Sequence, residues 1–171
     1  LGYEHPVPEP KRPHDEIAAE VEKVVDEAVN KKYPLSKKEE FKKEAAELFQ
    51  MVDKHEKVSF LLRGGLGRGA RVENLRYMGK TATRVHVGSR WITREDIAEE
   101  DEAMFYPEVN KRVREEYVAR RWRKYMFKRQ KYREEVHEKV AKEKFTEANY
   151  VYRKRQKKWM PKTKVLEQAL A

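Results

Sequence analysis

The sequence contains no cysteine, which excludes disulfide frameworks, cysteine-ligated zinc, iron–sulfur clusters and thiol catalysis. No run approaches the roughly 18 consecutive apolar residues of a membrane-spanning helix, so no transmembrane segment is predicted. Gly79-Lys80 does not end a P-loop, because Asn74 stands where that motif requires glycine. The three serines lie in no nucleophile-elbow context. We therefore predict a protein that is not an enzyme and has no cofactor, metal site or small-molecule substrate.

The sequence is instead rich in charge, with 41% charged against 39% hydrophobic residues in a chain of 171. Its 40 Lys and Arg residues outnumber 30 Asp and Glu residues, and the formal net charge is +10. An excess of this kind is typical of proteins that neutralise polyanions. The excess cations are concentrated in residues 61–92, 111–133 and 153–171, which acidic or neutral stretches separate. This distribution predicts a polyanion-binding surface rather than charge that serves solubility alone.

Hydrophobic periodicity predicts a mainly α protein with a small antiparallel β unit. Four prolines among the first 13 residues predict an extended arm. Apolar residues at helical spacing then predict two helices, over residues 15–32 and 37–56, that pair as an N-terminal helical hairpin. Pro34 ends the first helix, and a capping box of Ser36 and Glu39 begins the second.

In the rest of the chain, segments with strand or helix periodicity are separated by residues that end regular structure. The glycine-rich run over residues 63–69 predicts a loop. Alternating β-branched residues predict a two- or three-stranded antiparallel unit, like a short β-hairpin, over residues 71–92. Thr93 is the expected cap of a short helix over residues 94–104. Residues 108–158 contain neither glycine nor proline, which predicts a long basic C-terminal helix.

The predicted organisation has five parts. They are a proline-rich arm, a helical hairpin, a glycine-rich loop with the small β unit, a short helix followed by the long basic helix, and a tail, over residues 1–14, 15–57, 58–93, 94–160 and 161–171. A helix of about 50 residues is about 75 Å long. That length exceeds what a chain of this size needs to cover its own core, so much of the helix is expected to lie on a partner.

The most distinctive segment lies within the long helix, where arginine and lysine are interleaved with aromatic residues. Arginine binds phosphate through two parallel hydrogen bonds, and aromatic rings stack on unpaired bases. The alternative is an aromatic stripe that faces the core beside a solvated basic face, but these cations cannot all share one side of a helix. We predict contacts with structured RNA from Arg112, Arg114, Arg120, Arg121, Trp122, Arg123, Lys124, Lys128, Arg129, Lys131 and Arg133.

Two further basic segments and one acidic segment are candidate binding surfaces. The segment near the C terminus repeats the mixture of cations and aromatics, with a basic helix end as its alternative. The loop carries short Arg-Gly repeats, for which a flexible linker is the alternative. These segments add Arg63, Arg68, Arg153, Lys154, Arg155, Lys157 and Lys158 to the predicted RNA-binding residues. The acidic stretch predicts contacts with a basic neighbouring protein through Glu95, Asp96, Glu99 and Glu100.

With its proline-rich arm, long basic and aromatic helix, small mixed core and lysine-rich tail, the chain resembles the peripheral proteins of ribosomes, especially those of mitochondrial ribosomes. The resemblance implies a non-catalytic structural subunit that binds ribosomal RNA and neighbouring proteins. The first residue is Leu1 rather than Met, which is compatible with a removed targeting peptide. A mitochondrial location is therefore expected, with a cytoplasmic or other organellar ribonucleoprotein as the alternative.

A second function class stays open at this point. It is an accessory structural subunit of a large mitochondrial protein complex, such as a respiratory complex or ATP synthase, without RNA. The two functions predict different surroundings for residues 111–133, which we call the basic zone. RNA binding predicts side chains that are available to phosphates, whereas the accessory role predicts acidic partners and buried rings at Trp122 and Tyr125.

Overall fold

The computed structural model describes residues 7–63 and 70–165. It contains two N-terminal helices, a small antiparallel sheet and a long helix, which confirms the predicted fold class, mainly α with a small antiparallel β unit. The helices are α1 (His14–Lys32), α2 (Lys37–Leu48), α3 (Glu99–Glu102) and α4 (Pro107–Glu147). The strands are β1 (Lys57–Leu61), β2 (Arg71–Lys80), β3 (Arg84–Val87), β4 (Arg90–Thr93), β5 (Tyr150–Arg153) and β6 (Lys158–Pro161).

The chain forms two compact units, one of residues 36–124 and the other of residues up to 35 together with those from 125 on. The unit of residues 36–124 is built on an antiparallel sheet in the order β1-β2-β3-β4. After β4 the chain returns to β1, where Leu62 and Ile97 form a β-bridge. Alternate strand residues face inward, as expected for a sheet with one buried face. Its core includes Val58, Phe60, Val72, Tyr77, Val85, Val87, Ile92, Ile97, Phe105, Tyr106, Val109 and Val113.

The other unit combines α1, the C-terminal part of α4 and a β-hairpin of β5 and β6. Four residues of α1 at successive i, i+4 positions lie on one face of the helix and are almost completely buried. They share a core with Phe145 of α4 and Tyr150 of β5, and the Phe145 ring stacks parallel to Trp159 at 5.3 Å. The α1 residues of this core are Ile17, Val21, Val25 and Val29.

The described part of the proline-rich arm is tied to this second unit. The Lys11 amide donates a hydrogen bond to the Ala148 carbonyl at 3.1 Å. The Asn149 side-chain amide donates to the Glu9 carbonyl at 2.8 Å. One backbone and one side-chain hydrogen bond therefore hold the arm beside the end of α4.

The long helix ends earlier than the sequence predicts. The absence of glycine and proline predicts a helix to about residue 158, but α4 ends at Glu147 and a hairpin follows. Asn149 has a φ of 70°, a left-handed conformation that asparagine tolerates and that ends many helices. The aromatic and β-branched alternation at residues 150–152 is a strand signal. The predicted helix over 148–158 is therefore wrong.

The second helix is also shorter than predicted, ending at Leu48 rather than residue 56. Ser36 makes no side-chain cap, so the predicted capping box is wrong. Leu48 is largely exposed, and Phe49 packs against the core in its place. The Val52 amide then donates a hydrogen bond to the Met104 carbonyl at 3.1 Å, a contact outside any helix.

The β unit is larger than predicted and the helix after it is smaller. β1 adds a fourth strand to the predicted two or three. The predicted helix over residues 94–104 is wrong, because a 3-10 turn covers Arg94–Asp96 and α3 has only four residues. Between them Ile97 is extended and fully buried, since it pairs with Leu62. Thr93 makes no side-chain cap.

Three predicted segments fall partly or wholly outside the described residues. They are the first six residues of the arm, the glycine-rich loop over 64–69, which includes Arg68, and residues 166–171 of the tail.

Candidate nucleic-acid interface

One set of α4 cations has partners within its own unit. In the unit of residues 36–124, the Arg114 guanidinium donates two hydrogen bonds to the Phe49 carbonyl, at 3.1 Å from Nε and 2.8 Å from Nη2. The Arg121 guanidinium lies 4.9 Å from the centre of the Phe41 ring and pairs with Glu44 at 3.5 Å. Both arginines therefore hold α2 and its end against α4.

The other unit uses α4 arginines in the same way. Arg129 donates a hydrogen bond to the Tyr33 carbonyl at 3.2 Å. Arg133 donates to Asp26 at 2.5 Å and to Glu22 at 2.6 Å, and the hydrogen bond to Asp26 raises the pKa of the Arg133 guanidinium. Two more of the predicted RNA-binding residues therefore fix α1 in place.

Three aromatic residues of the basic zone are half-buried and also have intramolecular partners. The Tyr117 hydroxyl donates to a glutamate of α2 at 3.0 Å. Burial raises the pKa of the Tyr117 phenol, and this hydrogen bond adds to the effect. The Tyr125 hydroxyl donates to the Pro34 carbonyl at 2.9 Å, and the Lys38 ammonium lies 5.6 Å from the centre of the Trp122 ring.

A second set of cations lies on a different face of α4. Positions 120, 123, 124, 127, 128 and 131 are separated by three and four residues, a spacing that puts them on one side of a helix. α4 is uninterrupted across them, so this placement follows from helical periodicity alone. All six side chains are exposed, and none makes a hydrogen bond or ion pair within residues 7–63 and 70–165. We call this set the outward basic face: Arg120, Arg123, Lys124, Phe127, Lys128 and Lys131.

An aromatic ring lies in the middle of the outward basic face. Phe127 is 74% exposed, more than any other large hydrophobic side chain in the part of the chain that the structure describes. Full burial of such a side chain is worth about 1.5–3 kcal/mol, and the exposed Phe127 ring contributes little of this to the fold. Its position among cations is suited to stacking on a base while neighbouring side chains bind phosphates.

Helix stability does not explain the outward basic face. Residues 117–133 contain eight cations and no acidic residue. Arg120, Lys124 and Lys128 follow one another at i, i+4 spacing, and like charges at that spacing destabilise a helix by about 0.2–0.5 kcal/mol per pair. The positive charges of this face therefore repel one another unless a bound polyanion neutralises them.

The second predicted basic segment forms the turn of the β5–β6 hairpin rather than a helix end, so the alternative based on the helix dipole is wrong. Arg153 and Lys158 are opposite each other in the hairpin, and Lys157 in the turn has a φ of 52°. Their side chains make no hydrogen bond or ion pair with the described residues. The turn brings together five predicted RNA-binding residues: Arg153, Lys154, Arg155, Lys157 and Lys158.

The remaining predicted residues belong to the acidic segment and its surroundings. Arg63 Nε donates a hydrogen bond to the Glu95 carbonyl at 3.0 Å, and the Arg63 amide donates to the Asp96 carbonyl at 2.7 Å. Glu99 pairs with Arg112 at 3.1 Å. Much of this segment is therefore engaged within its own unit.

Two acidic side chains of this segment differ from the others. Glu95 and Glu100 are exposed, and neither carboxylate makes an ion pair with a described residue. The Asp96 carboxylate also has no partner among the described residues, but it is half-buried, so Glu95 and Glu100 are the exposed unpaired carboxylates of the predicted protein-contact set.

No helix among the described residues combines the length and the apolar character that a membrane span requires. In the same residues, no group of three or more His, Asp and Glu side chains could hold a metal ion. The chain matches no protein-family model, no curated protein and no solved structure.

Proposed function

We propose that this protein is a non-catalytic structural subunit of a ribonucleoprotein and that it binds structured RNA through the outward basic face of α4. The observation that carries the proposal is a single helix face with five exposed cations around the exposed ring of Phe127. The chain's resemblance to peripheral ribosomal proteins of the mitochondrial type makes ribosomal RNA the expected ligand. The hairpin turn at residues 153–158 supplies a second basic contact.

The outward basic face has the dimensions of a short stretch of RNA backbone. It extends over 11 helical steps, about 16 Å, and its arginines can each bind a phosphate through two hydrogen bonds. Phe127 offers a ring for an unpaired base in a loop or bulge. Binding releases the counterions of the phosphates, so affinity is expected to fall steeply with salt.

Neighbouring proteins are the second class of partner in this proposal. The exposed carboxylates of Glu95 and Glu100 have no partner within the described chain, although the protein as a whole is strongly basic. An acidic patch on such a protein is repelled by RNA and attracted to a basic protein surface. We assign this segment to a protein contact within the assembly.

The first experiment purifies the native assembly through a tag on this protein. Large ribosomal RNA is expected to co-purify, and nuclease treatment is expected to release the protein. An assembly that contains no RNA and survives nuclease would contradict the proposal.

A binding assay then tests the face itself with a structured RNA fragment. Five phosphate contacts predict that raising the salt from about 50 to 200 mM weakens binding roughly 100- to 500-fold. The test variant replaces five cations with glutamine: Arg120, Arg123, Lys124, Lys128 and Lys131. A matched control removes five exposed lysines elsewhere that make no ion pair with described residues: Lys23, Lys31, Lys43, Lys139 and Lys142.

The two variants have the same net charge, so they separate a specific face from overall charge. The face variant is expected to lose most of its RNA affinity and its salt dependence, while the control keeps most of both. Equal losses in the two variants would contradict a defined binding face.

A second candidate function is an accessory subunit of a large mitochondrial protein complex without RNA. One observation favours it: Arg112, Arg121 and Arg133 pair with acidic side chains, and Trp122 and Tyr125 are half-buried. This is the pattern that the accessory role predicts for the basic zone, although the acidic partners belong to the same chain. Purification of an RNA-free assembly would favour this candidate over RNA binding.

A further inference from the structure

The outer face of the four-stranded sheet carries an aromatic pair that the sequence did not indicate. Trp91 on β4 lies directly opposite His86 on β3. Their rings are parallel within 8°, with centroids 4.4 Å apart. Trp91 is 54% exposed, and β4 is the last strand of the sheet order. One face of the indole is therefore covered by His86, and much of the side chain stays open to solvent.

The core of the sheet does not require this pair. Val85, Val87 and Ile92, on the opposite face of the same strands, are buried. Alternation along a strand places His86 and Trp91 on the solvent side, where polar residues are usual. The part of the Trp91 ring that His86 does not cover is therefore available for contact with a ligand.

Two cations lie on the His86 side of the aromatic pair. Arg84 lies two residues before His86, on the same side of β3, and its guanidinium has no partner among the described residues. Gly79 is opposite His86 on β2, and the space that a side chain would fill there holds Lys54, whose Cε would be 3.2 Å from an added Cβ. No acidic residue occurs between Glu73 and Glu95 in the sequence.

We propose that the Trp91–His86 stack is a second RNA site and binds an unpaired base of a single-stranded segment. The base lies on the free face of the Trp91 indole, and Arg84 and Lys54 bind the adjoining phosphates. Stacking of this kind tolerates any base, because each has a flat aromatic face. The inference rests on the proposed function, and it adds a ligand class, single-stranded RNA, that the outward basic face does not specify.

Charge decides between RNA and a protein ligand for this surface. An exposed tryptophan also suits a proline-rich peptide, but such a peptide offers no negative charge to Arg84 and Lys54. A single strand offers a ring and phosphates together. We therefore commit to RNA and leave the peptide as an outcome of the test.

The test measures binding of the full chain to two labelled probes, an oligouridylate of eight nucleotides and a structured RNA fragment. Trp91→Ala is expected to weaken binding of the oligouridylate by between about 5- and 100-fold, the range for loss of one stacked base. Trp91→Phe keeps a ring and is expected to retain most of the affinity. Leu35→Ala is the control, because Leu35 is also 54% exposed.

A second variant keeps the test valid if Trp91→Ala lowers stability. Arg84→Gln combined with Lys54→Gln leaves the stack in place and is expected to reduce the slope of log K against log salt by about 1.4 for two contacts with a single strand. An unchanged slope would overturn the assignment of these two cations.

The outcomes separate this inference from the proposed function. If the variant of the outward basic face loses RNA affinity while Trp91→Ala binds oligouridylate as tightly as the unchanged protein, only this inference is overturned. If neither variant loses affinity, both proposals fail. Binding of an oligoproline peptide that Trp91→Ala abolishes, without binding of oligouridylate, would assign the surface to a protein ligand and overturn the inference.

Discussion

Two sets of cations on α4 differ in whether they have partners within the described part of the protein. Arg114, Arg121, Arg129 and Arg133 each bind a carbonyl or carboxylate of their own unit. The outward basic face has no such partner among the described residues. The two sets lie within one stretch of helix, and the paired set is entirely arginine whereas the outward basic face contains three lysines among its five cations. Positive charge on α4 therefore has two roles, packing of α1 and α2 within their units and, as we propose, recognition of RNA.

The largest expected effect compares two phenylalanines of α4. Phe145 is 4% exposed and stacks on Trp159, so Phe145→Ala is expected to lower the free energy of unfolding by about 3–5 kcal/mol. Phe127→Ala removes an exposed ring and is expected to change it by less than about 0.5 kcal/mol, while weakening RNA binding. Urea denaturation measures both values. Similar losses of stability would break the distinction between the two faces.

The next comparison uses two arginines. Arg114→Ala removes two hydrogen bonds to the Phe49 carbonyl and is expected to cost about 1–2 kcal/mol of stability, because Asn110 still donates to the same oxygen. Arg123→Ala is expected to cost less than about 0.5 kcal/mol but to weaken RNA binding. Denaturation and RNA titration of both variants measure the two effects. If Arg114→Ala lost RNA affinity without losing stability, the division between paired cations and the outward basic face would be wrong.

The paired charges also predict how the stability of the protein depends on pH. Glu20 accepts hydrogen bonds from Lys144 and Arg12, which lower its pKa from 4.5 to about 2. A lowered carboxylate pKa contributes stability at neutral pH that is lost as the pH falls from about 4.5 towards 2. Glu20→Gln is therefore expected to be less stable than the unchanged protein above pH 5, with a difference that shrinks in acid.

Denaturation at several pH values between about 2 and 7 would measure this difference, which is expected to follow the titration of a single carboxylate. Glu27→Gln is the control for loss of one negative charge, because Glu27 is exposed and has no ion-pair partner among the described residues. If the difference in stability between Glu20→Gln and the unchanged protein stayed constant with pH, folding would not lower the pKa of Glu20.

The smallest expected effect concerns repulsion within the outward basic face. Lys124 has like charges four residues before and after it, at Arg120 and Lys128, so Lys124→Gln is expected to raise stability by about 0.2–0.5 kcal/mol for each of these two pairs. Lys139 has Glu135 and Glu143 at the same spacing. Lys139→Gln is therefore expected to lower stability slightly.

Thermal unfolding at low and high salt would detect both changes, which are expected to vanish as salt screens the charges. A loss of stability in Lys124→Gln at low salt would mean that this lysine has a stabilising partner, and it would move Lys124 from one set to the other.

The sequence located the helices and the basic zone but not their limits or their orientation. α1 and its end before Pro34 follow from apolar spacing and from proline. The end of α4 depends on the left-handed Asn149 and on pairing of Tyr150 with Pro161, contacts that the periodicity of one helix does not contain. The Trp91–His86 stack depends in the same way on the register of two strands.

The division of the α4 cations was the part of the site that sequence reasoning missed. Arg114 finds its carbonyl 65 positions away, and Arg133 finds Glu22 at a distance of 111 positions. Periodicity groups residues 120, 123, 124, 127, 128 and 131 on one face, and that signal was available. The periodicity did not reveal which face of α4 has cations without intramolecular partners among the described residues.

The helical character of α1, α2 and α4, the net charge and the spacing of cations along α4 follow from the sequence alone, because they depend on local order and composition. Only the tertiary structure decided which cations are paired, since hydrogen bonds and ion pairs depend on distance in space and their partners come from remote α1 and α2. It likewise placed an exposed Phe127 on a basic face and a buried Phe145 in a core, although both belong to the same helix.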